Sequence, residues 1–209
     1  MDKRIKVTEK EMCNYFVKEQ KVIEYGQEFF KEICACSMNT KDCLFVNDKV
    51  IPLSCFNLMD ELLYALDYNK KQYIQGGFVK ACQKQAYIRI GIDTKNSILT
   101  KTLKRTIRHE IIHYYLWLFK LPHDDDSLEF WCLCYAFDGG AYEALTVEKQ
   151  EYYNLFKELY TLQVENLPWN IKHILIGQMI MAISKVPIEN YPQFINNLIC
   201  DMKNLFDVK

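Results

Sequence analysis

Apolar residues recur at helical spacing through most of the chain and alternate with a period of two in one stretch. Thr8-Glu9-Lys10-Glu11 matches a capping box, which predicts a helix carrying Met12, Tyr15, Phe16, Val22 and Ile23. Gly26 is expected to weaken that helix before Phe29, Phe30 and Ile33 resume its apolar face. Residues 43–53 read as two short strands around an Asn47-Asp48 turn. Leu58, Leu62, Leu63 and Leu66 fall on one side of a helix expected over 57–68, and Gly76-Gly77 reads as a break.

Residues 85–93 make the best strand. Ile88, Ile90 and Ile92 share one face, and Tyr87, Arg89 and Gly91 the other. A helix follows through 106–117, free of Gly and Pro, and Pro122 closes it off. After a polar loop, His123 to Ser127, a second helix is expected over 127–137, stopped by Gly139-Gly140. Three more helical patterns cover 147–164, 170–184 and 190–206, with Pro168 and Pro187 between them. The expected fold class is α+β: mostly helical, with a small mixed sheet beside the central helix and a helical C-terminal part. Residues 1–145 would form the main domain, with 146–209 packed on it as one compact unit.

The central helix carries the chemistry. It reads His109-Glu110-Ile111-Ile112-His113, the pattern H-E-x-x-H. Four residues advance a helix by a little over one turn, so both imidazoles leave the same face. Two nitrogens so placed can grip one Zn²⁺, with Glu110 beside them as general base toward a water the metal activates. The pattern fixes only three positions, and its plain alternative is a pair of surface histidines at i,i+4. Against that, the chain has only four His, and two of them fall on an otherwise apolar helix, where burying them uncompensated is costly.

Composition narrows the setting. Half of the 209 residues are hydrophobic and 14% aromatic, enough for a sizeable core, and the net charge of −1 gives no whole-chain attraction to nucleic acid or an anionic membrane. The N-terminal residues Met1 to Lys6 carry charge without an apolar stretch behind them, unlike a secretory signal. The most apolar run, 174–183, is too short to span a bilayer and reads as a buried helix. Nine Cys without a C-x-x-C pair fit reduced, mostly buried thiols, so a cytoplasmic protein is expected.

A catalytic zinc usually has three protein ligands and one open position. Four candidates for the third lie downstream: His123, Glu129, one Asp of the run 124–126, and Glu143. Glu129 is favoured, because a helix-borne carboxylate is held more rigidly than a loop residue and an unpaired one between Leu128 and Phe130 would be expensive. Its bland alternative is stabilisation of the helix dipole. His123 is the runner-up. The metzincin spacing fails, since Leu116 and Phe119 stand at its Gly and final His positions. Tyr135, Tyr142, His123 and Arg108 are candidate donors to an oxyanion.

His-Glu-Ile-Ile-His-Tyr-Tyr-Leu, followed by Leu-Pro-His-Asp-Asp-Asp-Ser-Leu-Glu-Phe, resembles the small HExxH zincins of bacteria and their phages, both SprT-like and ImmA/IrrE-like. The resemblance covers roughly 87–143. It implies a zincin-like fold whose sheet edge lies along the cleft and can pair with an extended peptide. The SprT-like type implies His123 as third ligand, and the ImmA/IrrE-like type implies Glu129. The expected activity is therefore a zinc metallopeptidase with Glu110 as general base, acting on a peptide or protein substrate. Two alternatives stand beside it: a non-catalytic zinc-binding regulatory protein, and a DNA-associated SprT-like protease. The second draws on Lys95, Lys101, Lys104, Arg105 and Arg108, but Asp124 to Asp126 balance that run and no cysteine zinc ribbon accompanies it.

Overall fold

The computed structural model describes residues 8–35, 51–60, 76–82, 85–93, 96–141, 145–183 and 188–190, with scattered positions from 193 to 204. The chain opens on α1 (Glu9–Cys34). Thr8 and Glu11 form the expected capping box, each satisfying the other's backbone N–H. Gly26 does not weaken this helix. It sits where α1 crosses its neighbours so closely that a Cβ there would lie 3.2 Å from both Ile111 Cδ1 and the Phe56 ring. The inward face of α1 buries Val22, Phe29, Phe30 and Ile33, while Met12 and Phe16 stay exposed.

Among the described residues the sheet has three strands: β1 (Phe56–Asp60), β2 (Gly76–Cys82) and β3 (Gln85–Ile92), in the order β1-β3-β2. β1 runs parallel to β3 and β2 antiparallel, so the sheet is mixed. Two expectations are corrected here. The helix expected from Asn57 begins instead as a strand, with Leu58 paired to Ile90; its remainder, 61–75, lies outside the described residues. Gly76 and Gly77 are not a break but the start of β2, opposite Ile90 and Arg89. Among the described strands β3 is the central one, between β1 and β2. The hairpin expected over 43–53 also lies mostly outside the described residues, and Leu53–Cys55 form a 3₁₀ turn.

The central helix, α2 (Lys101–Leu118), is capped by the Thr100 hydroxyl accepting from the Leu103 N–H. It packs against α1, β2, β3 and α3 (Leu128–Phe137). Its Ile107, Ile111, Ile112, Tyr115 and Leu116 join Ile88, Ile90 and Ile92 in one core. α4 (Val147–Leu159), a π-helical turn (Tyr160–Val164) and α5 (Trp169–Ile183) complete the helical part; α3 touches both α4 and α5. Of the last expected helix, 190–206, only scattered positions are described, and those from 193 onward are helical. Among the described residues no helix is long and apolar enough to cross a membrane. Cys132 and Cys134 are buried free thiols as expected, whereas Cys13 and Cys200 are exposed.

One polar tie locks α1 to the end of β3. Lys18 is only 1% exposed, and its ammonium donates to Asp93 Oδ2 at 2.7 Å and to the Asp93 carbonyl at 3.1 Å. Breaking a buried ion pair from one side costs about 3–5 kcal/mol, because the other charge is left stranded. Asp93 is 30% exposed, so for Asp93→Ala solvent screening reduces this to roughly 2–3 kcal/mol, or about 5–10 °C in Tm for a chain this size. Lys18→Met, which removes the stranded charge itself, should cost less. Thermal melts of both variants check this; an Asp93→Ala melt matching the parent would contradict it.

Candidate metal centre

α2 turns His109, Glu110 and His113 into one buried group whose potential ligand atoms lie within 4.8 Å of one another. The two Nε2 atoms are 3.2 Å apart. Both imidazoles pack on Phe130 of α3, His113 stacked at 3.9 Å between centroids and His109 edge-on at 4.8 Å.

Each ring is fixed from behind. His109 Nδ1–H donates to the Gly140 carbonyl at 2.7 Å, and His113 Nδ1–H donates to the His123 carbonyl. A carbonyl only accepts, so both Nδ1 atoms carry protons, and both Nε2 atoms face forward toward one another and Asp125. This outer-shell pattern orients histidines toward a metal. Gly140 earns its position by backbone geometry. Asp138 ends α3 in the left-handed region, Gly140 follows at φ 70°, and the bend brings the Gly140 carbonyl onto His109.

The third donor comes from the loop after α2. Asp125 Oδ1 lies 3.3 Å from His109 Nε2 and 3.2 Å from His113 Nε2. The three donors thus form a nearly equilateral triangle. In a tetrahedral zinc shell with bonds of about 2.0–2.1 Å, neighbouring ligands stand about 3.3 Å apart. The loop holding Asp125 is tightly tied. Lys120 turns it in the left-handed region, Leu121 N–H returns to the Leu116 carbonyl, and Ser127 N–H bonds the Asp124 carbonyl. Trp131 Nε1–H donates to the Asp125 carbonyl at 2.7 Å, and Lys149 Nζ donates to the Asp126 carbonyl at 2.7 Å. The Asp125 carboxylate is 42% exposed, so the triangle opens to solvent on that side.

The electrostatics agree with a site built for a cation. Hydrogen bonds from His109 and His113 hold the Asp125 carboxyl well below the usual carboxylate range. Burial alone would lower His109, but the hydrogen bond to Asp125, the Glu110 charge and the Gly140 carbonyl together raise it. Burial keeps His113 lowered. Glu110 is 4% exposed and its Oε2 has no hydrogen-bond partner. Burial pushes its carboxyl up to about 8. An orphaned buried carboxylate beside three converging donors fits a missing positive charge.

The other sequence candidates sit elsewhere. Glu129 is buried in the first turn of α3, where its carboxylate accepts from its own backbone N–H and feels the Lys149 charge; burial raises it. It does not join the group with His109 and His113. His123 contributes its carbonyl to His113, while its ring nitrogen Nδ1 bonds the Leu121 carbonyl at 3.0 Å. Glu143 and Tyr142 lie outside the described residues. Tyr135 hydroxyl meets Thr161 Oγ1 at 3.0 Å on the surface, and Arg108 donates to the Phe137 carbonyl. Asp138 also ion-pairs with both Arg105 and Arg108, two of the five residues of the basic run. Asp125 was weighed in the sequence only as one of three acidic loop residues. The available signal was the run itself, three adjacent carboxylates in a short loop that must fold back over the histidine face.

Compared with protein-family models, with curated proteins and with solved structures, the chain finds no match.

Proposed function

We propose that this chain is a zinc-dependent peptidase of zincin type, with His109, His113 and Asp125 as metal ligands and Glu110 as general base. The observation that supports this most is the triangle of His109 Nε2, His113 Nε2 and Asp125 Oδ1 at 3.2–3.3 Å, open on one side and flanked by Glu110. Bound there, a zinc ion would act as a Lewis acid toward a carbonyl and lower the pKa of water to about 7.

The chain's own groups do the rest. Glu110, buried and without a partner on Oε2, would accept the proton of the attacking water and deliver it to the departing amine. The Gly140 and His123 carbonyls keep the two rings from rotating. Phe130 dries the inner wall, which strengthens every charge interaction in the site.

The test is cleavage of an unstructured protein such as casein, and of a random peptide mixture, by protein reconstituted with zinc. Hydrolysis should vanish on chelation and return with added Zn²⁺. A protein that holds one zinc with Glu110 as a fourth ligand and cleaves nothing would be a structural site instead, and the peptidase reading would fall.

A further inference from the structure

A half-open cavity of about 360 Å³ shares residues with the metal triangle. Trp131, Tyr135 and Tyr153 are its aromatic lining, and Cys134, Gly140, Ala141, Arg105 and Asp138 complete it. The wall is preformed. Trp131 meets Tyr153 edge-to-face at 5.1 Å, and Tyr135 meets Tyr153 at 6.2 Å and 89°. Lys157 Nζ sits over both tyrosine rings, 5.5 and 5.3 Å from their centroids. Arg105 is held by Asp138 at 2.8 Å.

Two of these residues also hold the metal triangle. Trp131 donates to the Asp125 carbonyl, and Gly140 accepts from His109 Nδ1. Cavity and metal site therefore share a wall, one hydrogen bond thick. The volume is at the small end of ligand pockets, about 300–1,000 Å³, so it suits one large side chain better than a cofactor. Aromatic rings prefer edge-to-face partners, worth about 0.5–1.5 kcal/mol beyond area burial, and three rings already line the space. The paired Arg105 and Asp138 leave polar atoms in the lining for the peptide backbone.

We propose that this cavity is the specificity pocket of the peptidase and takes an aromatic side chain of the substrate next to the scissile bond. The proposal rests on the peptidase reading for its role, but not for the binding itself. The first measurement is therefore independent of catalysis. Zinc-loaded protein is titrated with N-acetyl-L-phenylalaninamide or N-acetyl-L-alaninamide while the Trp131 indole N–H resonance is followed. The phenylalanine compound should move that resonance and the alanine compound should not. Ala141→Phe, which adds bulk to the lining, should abolish the shift, and Tyr153→Ala, which removes one aromatic ring of it, should weaken it. No shift, or equal shifts from both compounds, overturns the pocket.

The second measurement maps cleavage sites in a peptide mixture by mass spectrometry. Peptides with Phe, Tyr or Trp at one fixed position beside the cut should be favoured at least about 10-fold in kcat/KM over Ala, and Ala141→Phe should erase the preference. Zinc-dependent cleavage without an aromatic preference overturns the pocket and leaves the peptidase standing. Selective binding of the phenylalanine compound without any cleavage supports the pocket and removes the peptidase reading.

Discussion

Glu110→Gln should retain zinc and lose between about 10² and 10⁴ of the hydrolytic rate, the usual worth of a general base. Gln keeps the shape of the side chain but cannot take a proton, and Glu110 is not one of the three donors in the triangle. The same substitution should make the metal-free protein more stable. Burial raises the Glu110 carboxyl from 4.5 to about 8, so the folded state binds a proton more tightly than the unfolded one. Its contribution is most favourable below about pH 4.5 and is lost as pH rises toward 8. At pH 7 the loss amounts to about 3 kcal/mol at most, and Gln removes it. Chelated Glu110→Gln protein should therefore melt above chelated parent at pH 7, with the gap closing as pH falls toward 4.5. Parent-like hydrolysis by the variant would refute the role of Glu110; a lower melting point would refute the account of its burial.

His113→Ala should have the larger effect on metal. Removing an outer-shell partner of a ligand typically costs 10- to 100-fold in affinity, at least in order of magnitude, and removing a ligand costs more. His113 is also the ring stacked on Phe130 at 3.9 Å, so a space opens in the wall as well. Zinc content after dialysis should drop from one equivalent to near zero, with all zinc-dependent hydrolysis. Full zinc retention by His113→Ala would mean the metal, if any, is held elsewhere.

That His109, Glu110 and His113 come together was legible because a helix fixes side-chain direction from spacing alone. Ile88, Ile90 and Ile92 were legible for the same reason, since a strand alternates its faces, and all three are fully buried. What escaped depended on distant partners. Leu58 to Leu66 carry a helical period, yet Phe56–Asp60 become a strand because β3 offers a parallel edge more than 25 residues away. Gly26 reads as a helix weakener until Phe56 and Ile111 are seen pressed against it. The sequence favours Glu129 as third ligand because a helix is a rigid mount, and nothing local in it singles out Asp125 from its two acidic neighbours. The loop's turn at Lys120 and its ties to Leu116 and Trp131 hold Asp125 against the imidazoles, a geometry that no local pattern encodes.

The direct test of the site is zinc affinity, measured by competition with a chromogenic chelator, in Asp125→Ala and Glu129→Gln side by side. Asp125→Ala should weaken binding by more than about 100-fold while Glu129→Gln binds like the parent. The reverse, with zinc lost from Glu129→Gln and kept by Asp125→Ala, would contradict the triangle on which the proposed chemistry stands.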